Sequence, residues 1–390
     1  MLSYSFGIKH IEVVEDIVSD TFLSATEDWS VKGTPENPRA WLYAVARNKI
    51  KNYIRRDSLF KKSISKEIMS NGERSEEFEI DLSEKNISDS QLAMIFTVCN
   101  PVNSSEAQIA LALNILCGFG IQEIADAFLT NKEVIYKRIN RAKEKLKEGA
   151  VPIRQPGADE IAERLPNVLM TIYLVFSEGY YSTSQNTTLR KDFCQEAMRL
   201  NTLIIDNKST DTPAAKALFA LMCFHASRFD ARENDQGETI LYEDQDDSRW
   251  NKELITKGTY FLNVASVGEE VSRFHLEAGI AYWHTQKEDS LEKWSNILDL
   301  YNHLLVIEYS PVAALNRTYA LSKVHGKSVA VVESEKLKLT ENPYYYSLLG
   351  NLHTGIDNAK AVQHFERAMK LTTSPANRVT ITRNIERLRK

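Results

Sequence analysis

Between His10 and Ala25 the apolar residues Ile11, Val14, Val18, Phe22 and Ala25 recur every three or four positions, the spacing of one face of an α-helix. That face is expected to be core, and Glu12, Asp16 and Asp20 fall on another face as a stripe of carboxylates. Gly33, Pro35 and Pro38 then punctuate a loop, and Pro38 suits a helix start because its missing N–H would have no partner there. A second helix is expected across WLYAVARNKIKNYIRR, with Leu42, Val45, Ala46, Ile50 and Tyr53 on its apolar face. Asn48, Lys51, Asn52 and Arg55 line up on the same helix at i, i+3, i+4 and i+7. Residues 63–90 are polar, acidic and without apolar periodicity, as expected of a flexible linker.

From Ser104 the pattern reads helix, break, short helix, tight turn, long helix. Ser104, Ser105 and Glu106 resemble a helix N-terminus, and Gly118 and Gly120 close that helix. Gln122 to Phe128 forms a short amphipathic helix with Ala125 at its closest packing point. After the turn Ile135, Ile139, Ala142 and Leu146 mark the core side of the last helix, while Tyr136, Lys137, Asn140 and Arg141 face outward together. That is the arrangement of a helix-turn-helix whose second helix enters the major groove of DNA. Beyond Pro152 and Pro156 helix follows helix with no convincing strand alternation, so an all-α fold is expected throughout. Leu349, Gly350, Ala361, Phe365, Ala368 and Pro375 approach the tetratricopeptide pattern of L-G, A-x3-F-x2-A and a closing Pro, and PVAALNRTYALSKVHGKSVAVV resembles another such helix pair.

Charge sharpens this picture. The net charge of -5 is unevenly spread. Residues 39–62 carry a local balance of +7, residues 63–90 one of -5, and residues 130–149 one of +4. Two basic patches thus flank an acidic linker. Cations on a helix neutralise phosphates and Asn reads base edges, so the mixed amide and cation stripes suit DNA.

Other classes fall away. No apolar run approaches the roughly 18 residues that cross a bilayer, and the N-terminus lacks a secretory signal pattern, so a cytoplasmic protein without membrane contact is expected. Cys99, Cys117, Cys194 and Cys223 are widely spaced and read as buried free thiols. The S-x-x-K pair of Ser63 and Lys66 lies in low-complexity sequence and carries no weight. There is no nucleophile-base pair, phosphate loop or metal spacing, so no catalytic residue, metal or cofactor is expected and an enzyme is set aside.

In combination these segments resemble the extracytoplasmic-function sigma factors, in the subgroup with a long tetratricopeptide-like C-terminal extension. EDIVSDTFLSA is similar to sigma region 2.2, WLYAVARNKIKNYIRR to regions 2.3 and 2.4, and IQEIADAFLTNKEVIYKRINRAKEKL to region 4. LVFSEGYYS, ALFALMCFHASRFDAR, LYEDQDDSRWNKELI and SPVAALNRTYAL are similar to segments of that extension. The resemblance implies sigma region 2 over residues 1–62, lacking its usual first helix, an acidic linker over 63–90, region 4 over 91–150 and the extension over 151–390. It implies that Asp16, Asp20 and Phe22 dock on core RNA polymerase, and that Arg47, Asn48, Lys51, Asn52, Arg55 and Arg56 face the minus-ten element of promoter DNA. Loop 31–39 would hold a flipped base, and Lys132, Tyr136, Lys137, Asn140 and Arg141 would meet the minus-thirty-five element. The linker would thread through the polymerase, and the extension would regulate in cis through contact with the sigma modules. The rival class is a helix-turn-helix regulator with a helical ligand- or protein-binding domain. It needs one DNA-binding unit, whereas two basic modules on one chain favour the sigma reading.

Overall fold

The computed structural model describes residues 10–64, 84–128, 130–181, 190–232, 240, 242–268, 270–372 and 375–389, with the side chains of 54–64, 84–86, 181, 375 and 376 outside that description. Among the described residues there are seventeen α-helices and no strand, which bears out the all-α expectation. The chain divides into two compact units, one of residues 1–104 with 140–157, the other of residues 105–139 with 158–390.

In the first unit α1 (Ile11–Lys32) and α2 (Pro38–Ile64) pack together through Val14, Ile17, Ala46 and Ile50, flanked by Val13 and Tyr53. Trp29 meets Trp41 edge to face at 5.4 Å near the connecting loop. Gly33 ends α1 at φ +81°, a conformation that a residue with a Cβ rarely adopts. Asn37 Oδ1 then accepts the Ala40 N–H and starts α2, with Pro38 in the first turn. The core stripe of α1 differs from the expected one. Ile11, Val14, Ile17, Thr21 and Ala25 are buried, whereas Val18 and Phe22 are 37% and 57% exposed. The 3.6-residue turn moves the stripe from Val14 to Ile17 and Thr21, and Thr21 is tolerated inside because its hydroxyl donates to the Ile17 carbonyl.

Helix α3 (Glu84–Val98) corrects the linker boundary, since Glu84 to Ser90 are helical and Ser90 is buried. Residues 65–83 of the expected linker lie outside the described residues. From Leu92 to Cys99 every residue of α3 and its exit is buried, the pattern of a helix enclosed on all sides. Asn103 Nδ2 donates to the Ala142 carbonyl, joining the exit of α3 to the last helix of this unit.

The second unit begins with α4 (Ser105–Leu111), which runs into a π-helical turn over Ala112–Leu116 instead of continuing to the glycines. Gly118 reverses the chain at φ +78°, and the Gly120 N–H donates to Glu123 Oε2 at the head of α5 (Ile121–Ala127). Asn131 Oδ1 accepts the Val134 N–H and opens α6 (Lys132–Glu148), whose residues up to 139 belong to this unit and the rest to the first. Helices α7 (Ala158–Tyr181) and α8 (Lys191–Ile205) follow. Gln108 Oε1 of α4 accepts from Asn167 Nδ2 and Thr171 Oγ1, both at 2.9 Å, and Arg199 donates to the Leu116 carbonyl. Phe119 and Phe193 lie 4.5 Å apart with Arg190 over both rings.

Helix α9 (Pro213–Ala226) is buried on nearly every side and packs on α8, α10 (Lys252–Ala265) and α11 (Arg273–Trp283). Gly258 brings α10 close against α9, for a Cβ there would meet the Phe224 ring at 2.7 Å. From α11 onward each helix packs on the next in sequence: α12 (Leu291–Ile307), α13 (Pro311–His325), α14 (Lys327–Leu337), α15 (Pro343–His353), α16 (Asn358–Leu371) and α17 (Pro375–Arg389). Leu349, Ala361, Phe365 and Ala368 are buried, and Gly350 sits against the Phe365 ring. Cys99, Cys194 and Cys223 are buried free thiols, and Cys117 is half-buried. Burial pushes Cys194 and Cys223 up to about 12.

Two outcomes follow from this packing. A Cβ at residue 350 would lie 2.7–2.8 Å from a ring that is 1% exposed and cannot yield. Gly350→Ala is therefore expected to lose stability, because overpacking of about 1–3 kcal/mol outweighs the roughly 1 kcal/mol that Ala gains as a helix former. Hydrogen exchange of the α15 and α16 amides measures this, and slower exchange in the variant would contradict it. His284 is pushed down to about 3, first by burial and then by the charges of Arg228 and Lys293. It folds neutral but is ordinarily protonated below about 6.5 when unfolded, so its contribution erodes as pH falls through 6.5 toward 3, by up to about 1.4 kcal/mol per unit. His284→Gln removes that dependence, so its urea-midpoint deficit against wild type is expected to narrow from pH 7 to pH 5.

Candidate nucleic-acid interface and acidic helix

Burying Ala46 and Ile50 turns the opposite side of α2 outward. Asn48, Lys51 and Asn52 are exposed there. Arg47 is half-buried, with no hydrogen-bond partner for its Nε, so it contributes less outward charge than its place in the basic run suggests. The side chains of Arg55 and Arg56 lie outside the described residues. Lys49 turns toward α1 and stands 3.8 Å from Asp20.

On α1 the expected carboxylate stripe divides. Asp16 and Asp20 are exposed and share the helix surface with exposed Val18, Phe22 and Leu23. Acidic and apolar groups thus alternate over about two turns, which suits a partner with cations around an apolar depression. Glu12 is engaged elsewhere. Burial opposes its ionisation, but a hydrogen bond and the positive charge from Lys147 hold its carboxyl below the usual range. Beside it both oxygens of Glu15 accept from Lys143 Nζ at 2.7 Å.

The long helix α6 buries Ile135, Ile139, Ala142 and Leu146, as its periodicity predicts. Lys132, Tyr136, Lys137 and Arg141 are exposed, and Asn140 is half-buried. All five expected residues thus avoid the buried stripe. The basic patch of residues 130–149 is smaller than its sequence count, however. Lys143 is only 7% exposed in its side chain and, with Lys147, is spent on Glu15 and Glu12 of α1. Sequence reasoning missed these pairs because their partners lie 128 and 135 residues away. A cation adjoining the buried Ala142 was the one local signal.

Two helices thus expose amides and cations, and a third exposes carboxylates around an apolar surface. Residues 6–59 match Sigma-70 region 2, covering α1 and most of α2. That segment is therefore a sigma-70 region 2. Residues 164–266 match a family of unknown function (DUF6596), which spans the stretch from α7 through α10. Along nearly its whole length the chain is similar to Uncharacterized protein R00370 of Rhizobium meliloti (strain 1021), with 32% identity over 385 residues, 97% of this chain and 91% of that protein. No solved structure matches the chain. Among the described residues no helix is long and apolar enough to cross a membrane.

The geometry makes a test of the α1 to α6 pairing direct. Glu15→Gln leaves the buried Lys143 ammonium without its carboxylate and is expected to cost about 1–3 kcal/mol, whereas Lys143→Met leaves only a half-exposed carboxylate alone and costs less. The double variant should cost less than the sum of the two, read by hydrogen exchange at the α1 amides. Additive losses would show that the two side chains do not stabilise each other.

Proposed function

We propose that the protein is a sigma-type initiation factor. It binds core RNA polymerase, directs it to promoters through their minus-ten and minus-thirty-five elements, and helps open the DNA. The observation that carries this reading is the match of residues 6–59 to sigma-70 region 2, laid on two helices whose outward faces differ in chemistry. The face of α1 with Asp16, Asp20 and Phe22 docks on the polymerase, and the face of α2 with Asn48, Lys51 and Asn52 meets the minus-ten element; Arg47, Arg55 and Arg56 are assigned to the same element. Residues 31–39, the loop between α1 and α2 with the helix ends that flank it, receive a base flipped from the opened strand. Helix α5, the turn after it and α6 serve as a helix-turn-helix, with Lys132, Tyr136, Lys137, Asn140 and Arg141 toward the minus-thirty-five element. The acidic stretch after α2 threads through the polymerase.

In this reading the residues after 150 form a tetratricopeptide-like extension that acts in cis. Its support is the sequential packing of α11 to α17 and the seating of Gly350 on Phe365. The contact on the sigma side is made by α7 and α8, with Asn167 and Thr171 on Gln108, Arg199 on the Leu116 carbonyl and Phe193 on Phe119. The extension then braces the front of the helix-turn-helix, so promoter recognition requires it.

Run-off transcription with purified core polymerase tests the whole reading. Promoter-specific transcripts are expected from the full chain and not from a chain truncated after Glu148. Asp16→Lys with Asp20→Lys should abolish binding to core polymerase while leaving the circular dichroism unchanged. Arg141→Ala should weaken binding to the cognate minus-thirty-five element by about 1–3 kcal/mol more than binding to unrelated DNA. Tight binding of the protein alone to duplex operator DNA, with no transcript from any promoter, would instead establish a helix-turn-helix regulator.

A further inference from the structure

Helix α9 leaves its buried position at Ala226 and the chain continues as Ser227, Arg228, a 3-10 turn over Phe229–Ala231, and Arg232. Farther on, residues 242–250 form two short 3-10 turns, Tyr242–Asp244 and Asp247–Arg249, before Asn251 caps α10. Such a segment has few backbone hydrogen bonds of its own, and two lysines supply substitutes. Lys287 Nζ donates to the carbonyls of Tyr242, Glu243 and Gln245, at 3.1, 3.1 and 2.9 Å. Lys293 Nζ donates to Tyr242 Oη at 2.9 Å and to the Gln286 carbonyl at 2.6 Å.

Four cations consequently gather around two tyrosine rings. The Tyr242 ring has Arg228 Cζ at 5.4 Å, Lys287 Nζ at 5.3 Å and Lys293 Nζ at 5.1 Å. The Tyr180 ring has Arg232 Cζ at 3.9 Å, and its hydroxyl accepts from Arg228 at 3.3 Å. Lys293 is 1% exposed and Arg228 is 9% exposed. No carboxylate among the described residues stands within 4 Å of Arg228, Arg232, Lys287 or Lys293. The nearby acids have closer partners: Asp289 pairs with Lys323 and reaches Lys293 only through its charge at longer range, Asp230 pairs with Lys191, and Glu243 accepts from the Tyr319 hydroxyl.

Hydroxyls, carbonyls and ring faces return part of the desolvation cost of buried cations, but none carries the opposing charge that would balance them. Donors are also left over. Arg228 Nε, Arg232 Nη1 and Trp250 Nε1 have no hydrogen-bond partner, and neither has His284 Nδ1. Trp250 and His284 both lie against the Tyr242 ring, at 6.2 and 5.2 Å between centroids. Surplus positive charge and surplus N–H groups therefore coincide, where half-buried Arg232, Tyr242 and Lys287 form the solvent edge. A group that satisfies both must be anionic and must accept from several directions. A carboxylate carries one charge and accepts in a plane, whereas a phosphate carries nearly two and accepts around a tetrahedron.

We propose that this cluster, which nothing in the sigma reading uses, is a binding site for a small phosphate-bearing ligand held by Arg228 and Arg232 over the rings of Tyr180 and Tyr242. The site lies within the stretch that matches the family of unknown function, and it gives that stretch a chemistry separate from DNA reading. Ligand occupancy would tie Arg228 and Arg232, just beyond α9, to Tyr242 and Lys287 by a shared anion.

Calorimetric titration of the full chain with inorganic pyrophosphate and, separately, with inorganic phosphate tests this at matched ionic strength and without any transcription readout. One site per chain is expected for pyrophosphate. Arg232→Gln, at a half-buried position that tolerates the change, should weaken it at least about tenfold, or about 1.4 kcal/mol. Arg228→Lys, which keeps the charge but loses the fork, should weaken it as well. Lys137→Gln with Arg141→Gln should leave it unchanged, which separates this site from the basic surface of α6. The proposal is overturned by no binding up to about 10 mM, by binding that survives both arginine variants, or by binding that disappears in the α6 variant. Equally tight titration by succinate would overturn the phosphate assignment.

Discussion

Helix α9 has no outward face. Ala215, Ala217 to Phe224 and Ala226 are all buried, so α9 must be covered on every side, and α8, α10 and α11 supply the cover. A helix of this kind cannot stand alone in water, because its apolar surface would outweigh anything its backbone hydrogen bonds return. Much else in the second unit follows from this. Gly258 lets α10 approach the Phe224 ring, and α7 reaches α9 through the aromatic contacts of Phe176 and Tyr180 with His225. The charged residues that leave α9 at its end, Arg228 and Arg232, are set among rings because the helix delivers them there.

The first unit is organised by polar commitments as much as by apolar ones. Its α1 to α2 core is small, and the helix is held at its other side by Glu12 and Glu15 on Lys147 and Lys143. Those pairs neutralise two carboxylates with two cations. Asp16, Asp20 and the apolar residues beside them stay exposed on α1, as do Lys132, Tyr136, Lys137 and Arg141 on α6. Packing therefore selects which charges a partner can meet, and the surface is narrower than a count of charged residues implies.

Set beside the match to sigma-70 region 2, these surfaces support a division of labour along one chain. The helices of the first unit expose amides, cations and carboxylates, and the helical array of the second unit has a buried chemistry of its own. The cation and tyrosine cluster belongs to that array. Four cations brought together with no carboxylate within 4 Å among the described residues are costly to maintain for packing alone.

Periodicity alone determined the helical class, the positions of α1, α2, α5 and α6, and the core stripe of Ile135, Ile139, Ala142 and Leu146, because a 3.6-residue repeat is a local property. It also set the exposed positions of Asn48, Lys51, Asn52, Tyr136 and Lys137, which follow once the buried stripe is known. It erred where two stripes compete within one turn. Val18 and Phe22 are as apolar as Ile17, and only the seating of α1 on Ala46 and Ile50 put Ile17 and Thr21 inside. Tertiary structure alone decided that Lys143 points inward to Glu15, and that Arg228, Arg232, Lys287 and Lys293 surround Tyr180 and Tyr242. Those residues are far apart along the chain, and a pattern read over one or two helical turns carries no information about which distant turn will face it.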